Sequence, residues 1–192
     1  MKRDARAAIA LARLLPKTEA IAVLRPWAEH DAWAAIELAR LLPKIEAIAV
    51  LRPWAERHAG VAIEQSKLDA DREEKVRILR PLAERDVNAA IELARLVTET
   101  EAIAVLRPHA DHDARGAIEL ARFVPKTEAT AVLRRWAEHD AQAARALAKL
   151  LPDSEAIAVL RPWAEHDANA AIALAKLLPD TEEKIRILRP HA

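Results

Sequence analysis

Apolar and polar positions along this chain recur with a period of 27 residues. The clearest copy reads Asp31-Ala-Trp-Ala-Ala-Ile-Glu-Leu-Ala-Arg-Leu-Leu-Pro-Lys-Ile-Glu-Ala-Ile-Ala-Val-Leu-Arg-Pro-Trp-Ala-Glu-Arg57. Copies cover residues 4–30, 31–57, 58–85, 86–112, 113–139, 140–166 and 167–192, and only the one beginning at His58 has 28 residues. A fixed period of this size marks a solenoid, in which each unit buries its apolar face against its neighbours. Residues 1–192 are therefore expected to form one repeat array.

Within a copy the pattern predicts two helices. In the first half, on a wheel of about 100° per residue, only the third, seventh and tenth positions are polar-facing, as in Trp33, Glu37 and Arg40. Such a helix, about 17 Å long at 1.5 Å per residue, is too short and too apolar to stand alone in water. Asp31 and its equivalents are predicted to accept hydrogen bonds from the first turn. Ala34, Ala35 and Ala39 permit close helix approach, while Ile36, Leu38 and Leu41 supply most of the buried area. Pro16, Pro43, Pro125, Pro152 and Pro179 are expected to end the first helix, because the residue before Pro avoids helical geometry.

The second helix is expected to be capped by Thr18, Thr100, Thr127 and Ser154, with Glu19, Glu101, Glu128 and Glu155 in its positive first turn. Leu24 and Ala28 share its inner face, Trp27 lies beside them, and Arg25 and Glu29 are spaced for an i,i+4 pair. Pro26 and its counterparts Pro53, Pro81, Pro108, Pro162 and Pro190 each remove one helical hydrogen bond. A kink is predicted there, with Arg135 marking the straighter copy; the alternative is a break.

Two copies depart together. Asp71-Arg-Glu-Glu-Lys-Val-Arg-Ile-Leu-Arg-Pro81 and Asp180-Thr-Glu-Glu-Lys-Ile-Arg-Ile-Leu-Arg-Pro190 put Lys-x-Arg where others have Ala-x-Ala, after a start resembling a capping box. That polarity suits a terminal repeat, so the earlier copy reads as an old end internalised by duplication. Gln65, Ser66 and Asp69 also replace Leu, Ala and Leu, which predicts a soft joint over 58–85.

Composition narrows the function classes. Thirty basic and thirty acidic side chains cancel, so no positive field gathers phosphates or anionic lipid, and nucleic acid is not the expected partner. The absence of Cys excludes disulfides and thiol chemistry. Met1-Lys-Arg-Asp4 runs directly into the first copy, leaving no room for a signal peptide, and no apolar run is long enough for a membrane span. The expectation is a soluble, cytoplasmic protein with no membrane contact. Scattered changes such as Thr130, Arg135 and Arg145 look like drift rather than a chosen consensus sequence, although a designed or consensus-like repeat protein is one alternative.

The stretch Glu-Ala-Ile-Ala-Val-Leu-Arg-Pro-Trp-Ala-Glu followed by Asp-Ala-x-Ala-Ala resembles the helix-turn-helix units of tetratricopeptide and Sel1-like repeat proteins. The resemblance spans the chain in a shorter unit. It implies a non-catalytic scaffold that holds a peptide or partner protein on a concave face lined by first helices. The fold class expected is all-α, a right-handed α-solenoid of seven helix-turn-helix repeats.

Candidate chemistry is sparse. The third position of the first helix varies most, through Arg6, Trp33, Gly60, Asn88, Arg115, Gln142 and Asn169. Arg6, Trp33, Asn88, Arg115, Gln142 and Asn169 are the candidate partner-binding row, alongside Glu37, Glu64, Glu92, Glu119 and the basic tenth positions; exposed-site drift explains the same variability. Trp33 is the natural anchor. The row Trp27, Trp54, Leu82, His109, Trp136, Trp163 and His191 falls at the seam between repeats and reads as packing rather than a stacking ladder. His30, His112, His139 and His166 recur one repeat apart, roughly 10 Å, too far for shared metal coordination, and read as helix C-terminal charges. No nucleophile–base pair, phosphate loop or metal motif is present, so neither an enzyme nor a cofactor is expected. The reading is a non-catalytic protein- or peptide-binding scaffold, with self-association through repeat ends into a dimer, ring or filament as the alternative.

Overall fold

The computed structural model describes residues 5–192; the Asp4 cap predicted for the first copy lies outside them. First helices of successive copies are α1 (Ala5–Ala12), α3 (Ala32–Leu41), α5 (Ala59–Leu68), α7 (Val87–Ala94), α9 (Ala114–Leu120), α11 (Ala141–Ala148) and α13 (Ala168–Leu177). Second helices are α2 (Lys17–Ala28), α4 (Lys44–Ala55), α6 (Arg72–Ala83), α8 (Glu99–Ala110), α10 (Lys126–Ala137), α12 (Asp153–Leu160) and α14 (Thr181–Leu188), followed by a 3-10 turn over Arg189–His191. The described residues hold no strand, and the fold is an all-α repeat solenoid.

Two compact units are present, Met1–Val97 and Thr98–Ala192. Within the first, α1 to α7 pack each on the next in chain order, and α1, α3, α5 and α7 also pack side by side. Within the second, α8 to α14 do the same, with α9, α11 and α13 side by side. No described helix is long and apolar enough to cross a membrane.

Burial explains this arrangement. Leu38, Leu93, Leu120, Leu147 and Leu174 at the eighth position of first helices are fully buried, as are Leu24, Leu51, Leu79, Leu106, Leu133 and Leu160 of second helices. Alanine pairs such as Ala34–Ala35 and Ala143–Ala144 are sealed from solvent and let the helices lie close. Leu41, expected to be a main contributor, is only half-buried. At about 25 cal/mol per Å2 of apolar area removed from water, the Leu rows are the principal stabilising element of the hairpins.

The Asp caps form as predicted. Asp31 accepts from the Ala34 N–H at 2.9 Å, Asp140 from Ala143 at 2.8 Å and Asp167 from Ala170 at 2.6 Å. Asp86 and Asp113 cap α7 and α9 in the same way. His58, standing at this position before α5, makes no side-chain cap.

The second helix starts earlier than expected. Pro16, Pro43, Pro125 and Pro152 occupy the cap position, with extended ψ near 150° and no side-chain cap bond. Their carbonyls accept the first helical bonds, as from Ala20 to Pro16 at 2.9 Å. Thr18, Thr100, Thr127 and Ser154 therefore lie inside the first turn and are not caps; Thr98 caps α8, accepting from Glu101 at 3.4 Å. The reason is that Pro, with φ already fixed and no N–H to lose, fits a helix start at least as well as a helix stop. In the two irregular copies Asp71 and Asp180 are the caps. Glu74 does not complete a capping box, because its carboxylate holds Arg77 at 2.6 Å.

The mid-helix prolines neither uniformly break nor spare the helix. Helices α2, α4, α6 and α8 run through Pro26, Pro53, Pro81 and Pro108 for two further residues. With Pro in the last turn only one bond is lost, so the penalty of a central Pro is reduced. In two copies of the second unit the α-helix ends sooner, at Leu160 and Leu188. Arg25 and Glu29 do not pair; the equivalent arginines of the second unit reach forward one copy, Arg107 to Glu128 at 2.8 Å and Arg161 to Glu183 at 3.1 Å.

Candidate partner-binding face

Third-position residues all lie on the exposed side of the first helices. Arg6, Trp33, Gly60 and Asn88 do so in the first unit, and Arg115, Gln142 and Asn169 in the second. From the second copy onward they arrive there because the two positions that follow, Ala34–Ala35 in the type case, turn inward and are buried. Trp33 retains 68% of its surface.

The seventh and tenth positions, expected to read a partner beside this row, are instead engaged with one another. Glu37 accepts from Arg40 of its own helix at 3.2 Å and from Arg13 of the preceding copy at 2.8 Å. Glu64 is held likewise by Lys67 at 2.9 Å and Arg40 at 3.6 Å. Arg95–Glu92 and Arg122–Glu119 continue the intrahelical half of the pattern. The basic partners are solvated while the carboxylates are partly covered, Glu119 most of all; with one partner in water, each pair adds little stability. Their effect is to leave the third-position row without competing free charge from Glu37 or Glu64.

Arg115 also differs from expectation. Its guanidinium folds back on the cap carboxylate, with Nε donating to Oδ1 of Asp113 at 3.1 Å and Nη2 to Oδ2 at 2.8 Å. The Arg115 hydrogen bond holds the Asp113 carboxyl below the ordinary carboxylate range.

One cleft joins members of the row. About 360 Å3 in volume, it lies at the starts of α3, α5 and α7 and is lined by Trp33, Ile36, His58 and Gly60 together with Arg57 and Arg85. Open space lies beside Gly60, where a Cβ would meet nothing within 4 Å. Arg57 and Arg85, which stand where other junctions carry His30 or His112, make no described ion pair. Asp86 lines the cleft too, but its Oδ1 already accepts from Asn88 and Ala89. The variable row contains Trp33 but neither Arg57 nor Arg85, because these precede the cap and belong to no variable helix position. Gln142 and Asn169 belong to no comparable cleft described in the second unit.

The seam row packs as expected and does something more. The indole Nε1 of Trp54, Trp136 and Trp163 donates at 2.9 Å to the carbonyls of Ala28, Ala110 and Ala137 respectively. Each acceptor is the last residue of the preceding second helix, where carbonyls lack helical partners. His191 makes the corresponding contact with Ala164 at 2.7 Å. A half-buried row read only by its wheel angle conceals this bond, since the angle gives the face and not the reach of the indole.

No described group of three or more His, Asp or Glu side chains is placed to hold a metal ion. No protein-family model and no curated protein matches this chain.

Proposed function

We propose that this chain is a non-catalytic repeat scaffold, in the manner of the tetratricopeptide-like proteins it resembles, and that it binds a peptide or partner protein on the face of its first helices. The observation that carries this reading is the exposed Trp33 in the lining of a cleft that Arg57 and Arg85 also line. A large aromatic beside a concavity is the side chain most often found to anchor a protein contact. Two guanidinium groups without a described ion pair favour a partner segment with carboxylates. Side-by-side packing of α1, α3, α5 and α7, closer than that of the second helices, supports a concave first-helix side in the first unit.

Selection of a displayed peptide library on the immobilised chain tests it. Enriched sequences should combine an apolar anchor with acidic residues and should lose binding at least about tenfold, or 1.4 kcal/mol, on Trp33→Ala. Binding unaffected by Trp33→Ala and by Arg57→Ala with Arg85→Ala would refute the assignment.

Self-association is the second reading, and Leu11 favours it. Its leucine counterparts in later copies are sealed in the core, yet Leu11 is 48% exposed. Light scattering across a concentration series decides: mass rising with concentration, and suppressed by Leu11→Lys, supports assembly through this end.

A further inference from the structure

The third copy carries a polar group where the array otherwise places Leu. Gln65 sits at the eighth position of α5, equivalent to Leu38, Leu93, Leu120, Leu147 and Leu174, and is only 2% exposed. Its Oε1 has no hydrogen-bond partner, and it is the one buried side-chain polar atom so left among the described residues. Such an atom is costly to bury and is normally paired. Oε1 itself is shut off from solvent, yet the side chain as a whole borders open space. Gln65 forms part of the lining of a cleft of about 330 Å3 between α4 and α6, together with Arg52, Ala55, Glu56, Arg77 and Ile78.

The corresponding clefts elsewhere are apolar at this point. Leu38 lies in the one between α2 and α4, and Leu147 in the one between α10 and α12. Those clefts also contain the seam Trp54 and Trp163, whose indoles donate to Ala28 and Ala137. In the third copy the seam residue is Leu82, which has no N–H to offer Ala55, the counterpart of Ala28. This cleft has therefore gained an unpaired amide and lost the donor that its neighbours supply.

We infer that the cleft over Gln65 is a binding site for a primary carboxamide, the side chain of Asn or Gln in a peptide. A carboxamide offers both a donor and an acceptor, so it pairs with the Gln65 amide whichever way that amide is turned. Its second N–H is available to a main-chain carbonyl such as that of Ala55. The rim carries charges of both signs, Arg52, Glu56 and an Arg77 already bound to Glu74, which suits a neutral ligand. A carboxylate can accept from the Gln65 NH2 but leaves Oε1 without a donor, and an ammonium can donate to Oε1 but accepts nothing and meets Arg52 and Arg77. This site is separate from the Trp33 cleft and does not depend on it.

The test uses the full chain labelled with 15N and three probes: N-acetyl-glutamine N-methylamide and the glutamate and leucine analogues. The glutamine probe should shift the Gln65 side-chain NH2 resonances and the backbone amides of Arg52, Glu56 and Ile78 around the cleft in a saturable way, the backbone shifts being the readout in the Gln65→Leu variant, with the other two probes weaker by about tenfold or more. Gln65→Leu restores the residue of the neighbouring copies, so it should fold normally and abolish the response, whereas Trp33→Ala should leave it intact. Equal response to all three probes, a response that survives Gln65→Leu, or a Gln65 amide that contacts only an ordered water the probe does not displace, would overturn the proposal.

Discussion

Trp54 donates its indole N–H to the main-chain oxygen of Ala28 at 2.9 Å, tying the end of one second helix to the end of the next. The bond satisfies a carbonyl that α2 itself leaves open, since Ala28 is its last residue. Ring burial and hydrogen bond can be separated by substitution. Trp54→Phe keeps most of the packing and should cost about 1 kcal/mol, while Trp54→Ala should cost about 3–5 kcal/mol. Urea titration followed by circular dichroism measures both. Equal losses for the two variants would mean that the hydrogen bond, and not the packing, dominates.

Gly116 marks a close approach between α8 and α9. A Cβ at this residue would lie 2.9 Å from both the backbone carbon and the Cβ of His109. Other copies carry Ala or Val at the same position, so the spacing of this pair is closer than elsewhere. Gly116→Ala should destabilise by about 1–3 kcal/mol through overpacking, despite the better helix propensity of Ala. A thermal midpoint equal to or above that of the parent would contradict this.

The third copy should be the least protected part of the first unit. Helix α5 lacks a side-chain cap, and it buries Gln65 and Ser66 in place of Leu and Ala. Ser66 recovers one bond by donating to Ile63 at 2.8 Å. His58→Asp should supply the missing cap and stabilise by about 0.5–1 kcal/mol, after allowing for the lost contact between His58 and Trp54, whose rings lie 5.3 Å apart. Native-state hydrogen exchange should place residues 58–85 below their neighbours in protection and show the deficit reduced in the variant. Uniform protection across the unit would remove the basis for a soft joint.

The Asp113–Arg115 contact gives a pH signature. Because the folded-state pKa of Asp113 is depressed, chiefly by the Arg115 hydrogen bond, its stabilising contribution is present above the unfolded carboxylate value and lost as pH falls through the folded one. Arg115→Ala should raise the Asp113 pKa towards normal and move the acid unfolding limb to higher pH. Carboxyl-carbon NMR titration reads the first effect and acid denaturation the second. An unchanged Asp113 titration would show that the guanidinium is not the cause.

The helix pairs, the Asp caps and the Leu rows are legible in the repeat period alone, because all three depend on local pattern and burial. Helix starts are harder to read. Pro16 and its equivalents fit the end of one helix and the beginning of the next equally well, and the geometry of the turn decides for the latter. The seventh-position carboxylates read as partner-facing groups, since Glu37 and Arg13 are 24 residues apart and nothing in the pattern states that they meet. Arg57 and Arg85 are hidden for a related reason: a cleft formed by three helices joins residues that no single helical wheel displays.

The seam bond has a further bearing on how such a chain changes over generations. Trp54, Trp136 and Trp163 each reach a peptide oxygen, and every residue type presents that same atom. The link thus asks nothing of the neighbour's side chain. A unit can be copied, deleted or moved in register without a matching substitution beside it, so long as the helix before it ends at the same height. At Leu82 the array forgoes one such link and remains stacked, leaving the Ala55 carbonyl without the indole that its counterparts receive.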